Sequence, residues 1–65
     1  MARLGPMLRR LRRERDMTQE ELAAKVRVTR FYISQLEIGL RKNPSIPVLK
    51  RLAKALGVTV GELVE

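Results

Sequence analysis

The chain has 65 residues, enough for one small domain and too few for two cores or for most catalytic folds with a buried pocket. Hydrophobic residues make up 45 % and charged residues 32 %, a balance that folds rather than staying disordered. With no cysteine and no histidine, disulfide frameworks, thiolate metal sites and the commonest general base are excluded. The 14 Lys and Arg against 7 Asp and Glu leave a net charge of +7, which points to a polyanion as partner. Uncharged stretches such as Asn43 to Leu49 fall far below the roughly 18 apolar residues of a membrane span, and no signal-peptide core follows the start. The expectation is a soluble, cytoplasmic domain with no membrane partner.

Leu4, Met7, Leu8 and Leu11 recur at helical spacing around Gly5-Pro6, and proline suits a first turn, where its missing N–H would be unbonded. This predicts a first helix ending near Asp16. Arg9, Arg10 and Arg13 fall opposite its apolar stripe as long-range electrostatic candidates, Arg12 lies on the border, and Arg15 can reach the C-terminal carbonyls. Thr18-Gln19-Glu20-Glu21 reads as a capping box. A second helix therefore starts at Gln19, turns Leu22, Ala23 and Val26 inward, and stops before Thr29, itself a good N-cap. After a turn of about three residues, a third helix runs over 30–38 with Ile33 and Leu36 inward and Gly39 free to take a left-handed conformation.

A loop from Leu40 to Pro44 carries Arg41, Lys42 and Asn43. Ser45 caps a fourth helix that tolerates Pro47 near its start and is ended by Gly57, with Leu49, Leu52, Ala53 and Leu56 as its stripe. Thr59 to Glu62 repeats the capping box and predicts a short helix over 60–64, with Val60, Leu63 and Val64 on one side. No run alternates with period two for long enough to suggest a sheet, so the fold class is all-α with five short helices.

Two short helices joined by a tight turn, the second polar on its outer face, meet the requirements of a helix-turn-helix. Residues 6–64 resemble the lambda-repressor-like (Cro/cI, XRE-type) helix-turn-helix family. The resemblance rests on Leu11-Arg12-Arg13-Glu14-Arg15, Thr18-Gln19-Glu20-Glu21-Leu22-Ala23, Tyr32-Ile33-Ser34-Gln35-Leu36-Glu37 and Leu52-Ala53-Lys54-Ala55-Leu56-Gly57-Val58. It implies a single compact five-helix domain over 1–65 with the helix-turn-helix at about 18–38. It further implies a nucleoid-associated repressor that places its third helix in the major groove of double-stranded DNA, as a homodimer on a near-palindromic operator. No catalysis, cofactor or metal is expected. Family members commonly have glycine in the turn, where this chain has Arg27, and a left-handed non-glycine residue costs about 1 kcal/mol.

On the third-helix wheel Phe31 and Gln35 lie opposite the inward direction, flanked by Ser34 and Ile38. Thr29 and Arg30 stand at the helix N-terminus, where the resemblance places groups that reach base edges. Thr29, Arg30, Phe31, Ser34 and Gln35 are thus the candidate base contacts: Gln can pair with adenine, Arg with guanine, and Phe can touch a thymine methyl. Tyr32 is assigned to packing. Thr18 and Gln19 at the second helix N-terminus, with Ile38, Arg41, Lys42 and Asn43 after the third helix, are the candidate phosphate contacts. Glu37, beside Ile33 and Leu36, turns a carboxylate inward and needs a partner. The resemblance supports a structural ion pair with Arg12. Leu40, Ile46, Val60, Leu63 and Val64 are the candidate dimer surface.

Three other readings compete: a protein adaptor using the basic surface, an antitoxin or restriction-controller component on the same fold, and a membrane-surface first helix. The last lacks aromatic anchors, and its leucines are needed for the core.

Overall fold

Apolar periodicity and side-chain caps divide the chain into α1 (Leu4–Glu14), α2 (Gln19–Val26), α3 (Arg30–Glu37), α4 (Ile46–Leu56) and α5 (Val60–Val64). The structure is a computed structural model and describes residues 3–64; Met1, Ala2 and Glu65 lie outside the described residues. The caps act where the sequence puts them. Thr18 Oγ1 accepts from the Glu21 N–H at 3.0 Å, while the Thr18 N–H donates to Glu21 Oε1 at 2.8 Å. Thr59 and Glu62 repeat the exchange at 3.0 and 3.1 Å. Thr29 and Ser45 accept from the Tyr32 and Val48 N–H groups. Each such cap satisfies a backbone donor that the first helical turn leaves open.

The helix ends differ more from expectation. α1 begins at Leu4 and stops at Glu14, short of Asp16. Asp16 instead takes φ 52°, a left-handed conformation that a short polar side chain tolerates, and the Met17 N–H reaches back to the Arg12 carbonyl at 3.1 Å. α2 and α4 end in one geometry with different residues. Arg27 (φ 64°) and Gly57 (φ 69°) are both left-handed, and the N–H groups of Val28 and Val58 each return to a carbonyl five residues back, at 3.0 Å. At Gly57 this conformation is unstrained; at Arg27 it carries the β-carbon penalty.

The apolar stripes converge on one core, with Leu8, Leu22, Val26, Ile33, Leu52, Leu56 and Leu63 sealed from solvent. α3 packs between α1 and α2, α4 packs on α2, and α5 closes against α1 and α4. Leu63 is 0 % exposed, which removes it from the candidate dimer surface: α5 spends this side chain on the core. Gly5 has a role beyond its place next to proline. A β-carbon there would stand 2.7 Å from the carbonyl oxygens of both Leu36 and Glu37, so α1 approaches the end of α3 more closely than any side chain permits.

One polar network ties the first three helices. Arg12 on α1 donates from Nε to Glu37 Oε2 at 2.7 Å and from Nη2 to Oε1 at 3.1 Å. Its Nη1 donates to the Met17 carbonyl at 2.7 Å, and Gln19 Nε2 adds a third donor to Glu37 Oε1 at 3.1 Å. Both ionised residues are buried. The hydrogen bond and the charge of Glu37 outweigh burial and raise the Arg12 pKa, so the guanidinium stays charged. Among the described residues no buried side-chain nitrogen or oxygen lacks a partner.

Three stability measurements follow from these features. Glu37→Gln removes the charge while leaving Arg12 buried; it lowers unfolding free energy in urea titration by about 3 kcal/mol, the lower end for a broken buried pair. Arg27→Gly raises the melting temperature, with relief of strain outweighing the added unfolded-state entropy by a few tenths of a kcal/mol up to about 1. The third concerns pH. Bonds from the backbone and hydroxyl of Thr18 hold the Glu21 carboxyl below its ordinary value of 4.5. The cap's contribution is therefore complete above that value and is lost as pH falls through the lower folded value. Glu21→Gln makes stability less steep in pH below about pH 5 than in wild type.

Candidate nucleic-acid interface

The turn of Arg27, Val28 and Thr29 sets α3 across α2 and leaves one long side of α3 uncovered. With Ile33, Leu36 and Glu37 committed inward, the helical period drives Phe31 to the outside, where it is 68 % exposed. Its ring does not fold back over the core. Arg30 is exposed at the helix start and lies 3.4 Å from Glu20 on α2, both side chains in solvent. Ser34 and Gln35 are half-buried on the flank of the same face. Thr29 Oγ1 is occupied by the Tyr32 N–H, leaving its hydroxyl hydrogen to point elsewhere. The structure therefore brings Thr29, Arg30, Phe31, Ser34 and Gln35 onto one surface.

The loop after α3 continues that surface. Ile38 is the C-cap of α3 and exposed, not its last helical residue. Gly39 takes φ +83°, which lets the chain reverse so that the Arg41 N–H reaches the Gln35 carbonyl at 3.1 Å. Arg41, Lys42 and Asn43 are all exposed beside the end of α3. Two cationic side chains thus sit next to an exposed apolar and amide-bearing helix face, with free donors for anionic oxygens.

The start of α2 is a different environment from the one its sequence suggests. Thr18 is committed to its cap, and the Gln19 amide faces inward to Glu37. Two carboxylates, Glu20 and Glu21, occupy the first turn, offsetting the positive end of the helix dipole. Gln19 keeps one amide hydrogen beyond the one given to Glu37. The inward turn of Gln19 was not legible locally, because its partner lies 18 positions away.

Cations also gather at a place that no motif marks. Lys25, Arg27, Arg51 and Lys54 line a surface depression between the C-terminal half of α2 and α4, and Arg51 Nε anchors to the Val26 carbonyl at 2.9 Å. Only the folding of α4 onto α2 unites them, so spacing along the chain could not reveal the patch. On α1, Arg9 and Arg13 are exposed and Arg10 sits 3.7 Å from Glu14, a solvent-screened pair worth little. Leu40 and Ile46 are 73 % and 61 % exposed, whereas Val60 and Val64 are half-buried. No described helix is long and apolar enough to cross a membrane, and no described cluster of His, Cys, Asp or Glu is suited to a metal.

The chain matches the helix-turn-helix family over residues 8–63. It is 48 % identical over 61 residues to an uncharacterised HTH-type transcriptional regulator of Sinorhizobium fredii, covering 94 % of this chain and 78 % of that protein. It is 38 % identical over 61 residues to the immunity repressor of Bacillus phage phi105, covering 94 % of this chain but 42 % of the repressor, so it spans under half of that relative. The N-terminal DNA-binding domain of SinR from Bacillus subtilis superposes with a TM-score of 0.93 at 32 % identity, covering 100 % of this chain and 94 % of that one. A structure of SinR in complex with DNA gives a TM-score of 0.90 at 34 % identity, with coverage of 95 % and 98 %. A five-helix order, a capped α2–turn–α3 unit and these matches lead to one conclusion: the chain belongs to the lambda-repressor-like helix-turn-helix family of DNA-binding regulators.

Proposed function

We propose that the protein is a sequence-specific, double-stranded-DNA-binding transcriptional regulator that acts as a repressor, without catalysis, in the cytoplasm on the nucleoid. The observation that carries this reading is the exposed face of α3, continuous with the cationic loop behind it, on a chain of net charge +7. α3 enters the major groove, where Thr29, Arg30, Phe31, Ser34 and Gln35 face base edges. Thr18, Gln19, Ile38, Arg41, Lys42 and Asn43 meet the flanking phosphates, Gln19 with its spare amide hydrogen and Ile38 through its backbone. SinR in complex with DNA supports the assignment through a shared backbone, and the phage immunity repressor supports the direction of regulation.

The protein works as a homodimer on a near-palindromic operator. One protomer measures 23 × 23 × 20 Å and carries one α3, whereas successive major grooves on one side of the duplex lie about 34 Å apart. A second copy doubles the contacts that a module of this size makes weakly. Exposed Leu40 and Ile46, close to the phosphate-facing loop, are the apolar groups assigned to that contact.

Selection of preferred duplexes from a random DNA pool at physiological salt tests the reading. The expected motif is an inverted repeat with half-site centres about one helical turn apart. Lys42→Ala should weaken binding to all sequences alike and lower the salt slope by about 1. Absence of any enriched motif, with binding that vanishes as salt rises, would overturn sequence-specific recognition and leave only charge attraction.

A further inference from the structure

The loop after α3 does more than bring positive charge near the helix. From the backbone bond to Gln35, the Arg41 side chain lies across Tyr32, its Cζ 4.7 Å from the ring centroid. Its Nε and Nη2 both donate to Gln35 Oε1, at 3.3 and 3.1 Å. A guanidinium has no acceptor, so the amide atom facing it must be the oxygen, and this sets which way the amide points. A carbonyl oxygen has two lone pairs, and two N–H groups now occupy them. What Gln35 retains for a ligand is the pair of hydrogens on Nε2.

An unconstrained glutamine reads adenine by accepting from N6 and donating to N7. With Oε1 filled, the accepting half of that pair is gone, and the adenine amino group would meet an amide that offers only donors. Guanine presents N7 and O6, two acceptors for two hydrogens, whereas thymine presents O4 alone. Building on the DNA-binding reading above, we propose that Arg41 is a positioning residue that makes Gln35 a donor-only reader, selecting guanine over adenine. Arg41 acts through the amide and not on the base. The Tyr32 ring gives the guanidinium a flat support over which the cation is held, so Nε and Nη2 stay on the amide while the Nη1 hydrogens remain free for a phosphate. Lysine at this position would preserve the charge and lose the two-pronged donation.

The test is the same random-duplex selection, run with wild type, Gln35→Ala, Arg41→Lys and Arg41→Met, each checked for helical folding and melting temperature. Gln35→Ala identifies the base position that Gln35 reads, by the position whose preference collapses. There wild type should prefer guanine over adenine by about fivefold or more, and both Arg41 variants should shift the preference to adenine. Three results would each overturn the inference while leaving sequence-specific binding intact: adenine preferred by wild type, a preference unchanged in both Arg41 variants, or no position sensitive to Gln35→Ala. No enriched motif for wild type would overturn the DNA-binding reading together with the inference.

Discussion

A carboxylate that cannot stay in water organises this small domain. Glu37 ends α3 on the side that the helical period turns inward, and an ionised acid in that position is unfavourable unless it is surrounded by donors. Arg12 supplies two, and Gln19 supplies a third. The residues come from α1, the start of α2 and the end of α3, so satisfying one acid fixes three elements relative to each other. Apolar residues of similar volume could match the pair in stability. They would not match its direction, because a guanidinium fork accepts a carboxylate in a narrow set of orientations.

The angle of α3 follows from that constraint. With the end of α3 held by Arg12 and pressed against α1 at Gly5, and its start capped by Thr29 after the Arg27 turn, the helix has little freedom to rotate. Phe31 and Arg30 are exposed, and Gln35 partly so, because Ile33, Leu36 and Glu37 are not. The exposed apolar side chains Phe31, Ile38, Leu40 and Ile46 are then costs to the isolated protomer that are offset only where a partner surface covers them. Their grouping on and after α3 separates the part of the molecule that maintains the fold from the part left for recognition.

Charge is distributed with the same logic. The excess of cations would repel itself in a body of this size, yet the α2 start carries Glu20 and Glu21, and Arg12 is neutralised inside. The uncompensated cations lie in the loop after α3, on the outer side of α1 and in the depression between α2 and α4. Arg41 is an intermediate case. It is exposed, but Nε and Nη2 are engaged by Gln35 and its face by Tyr32, so its influence on a base passes through the amide it holds while Nη1 is left for a phosphate.

The starts of α2 to α5 and the core stripes follow from residue order alone. Thr18, Thr29, Ser45 and Thr59 each bond an N–H three residues ahead, and the apolar period repeats within one or two turns. Such interactions are complete inside short windows, so their residue types declare them. The outward face of α3 was legible for the same reason, since it is what the inward stripe leaves over. The burial of Leu63, the close approach at Gly5, the inward turn of Gln19 and the cationic depression of Lys25, Arg27, Arg51 and Lys54 came only with the packing of the helices. Each depends on a partner that arrives from elsewhere in the chain: Gln19 and Glu37 are 18 positions apart, and Gly5 on α1 meets the carbonyls of Leu36 and Glu37 at the end of α3. Even Arg41, six positions from Gln35, required the chain reversal at Gly39 to reach it. A window of residues records which groups want partners; the packing of helices decides which partners they find.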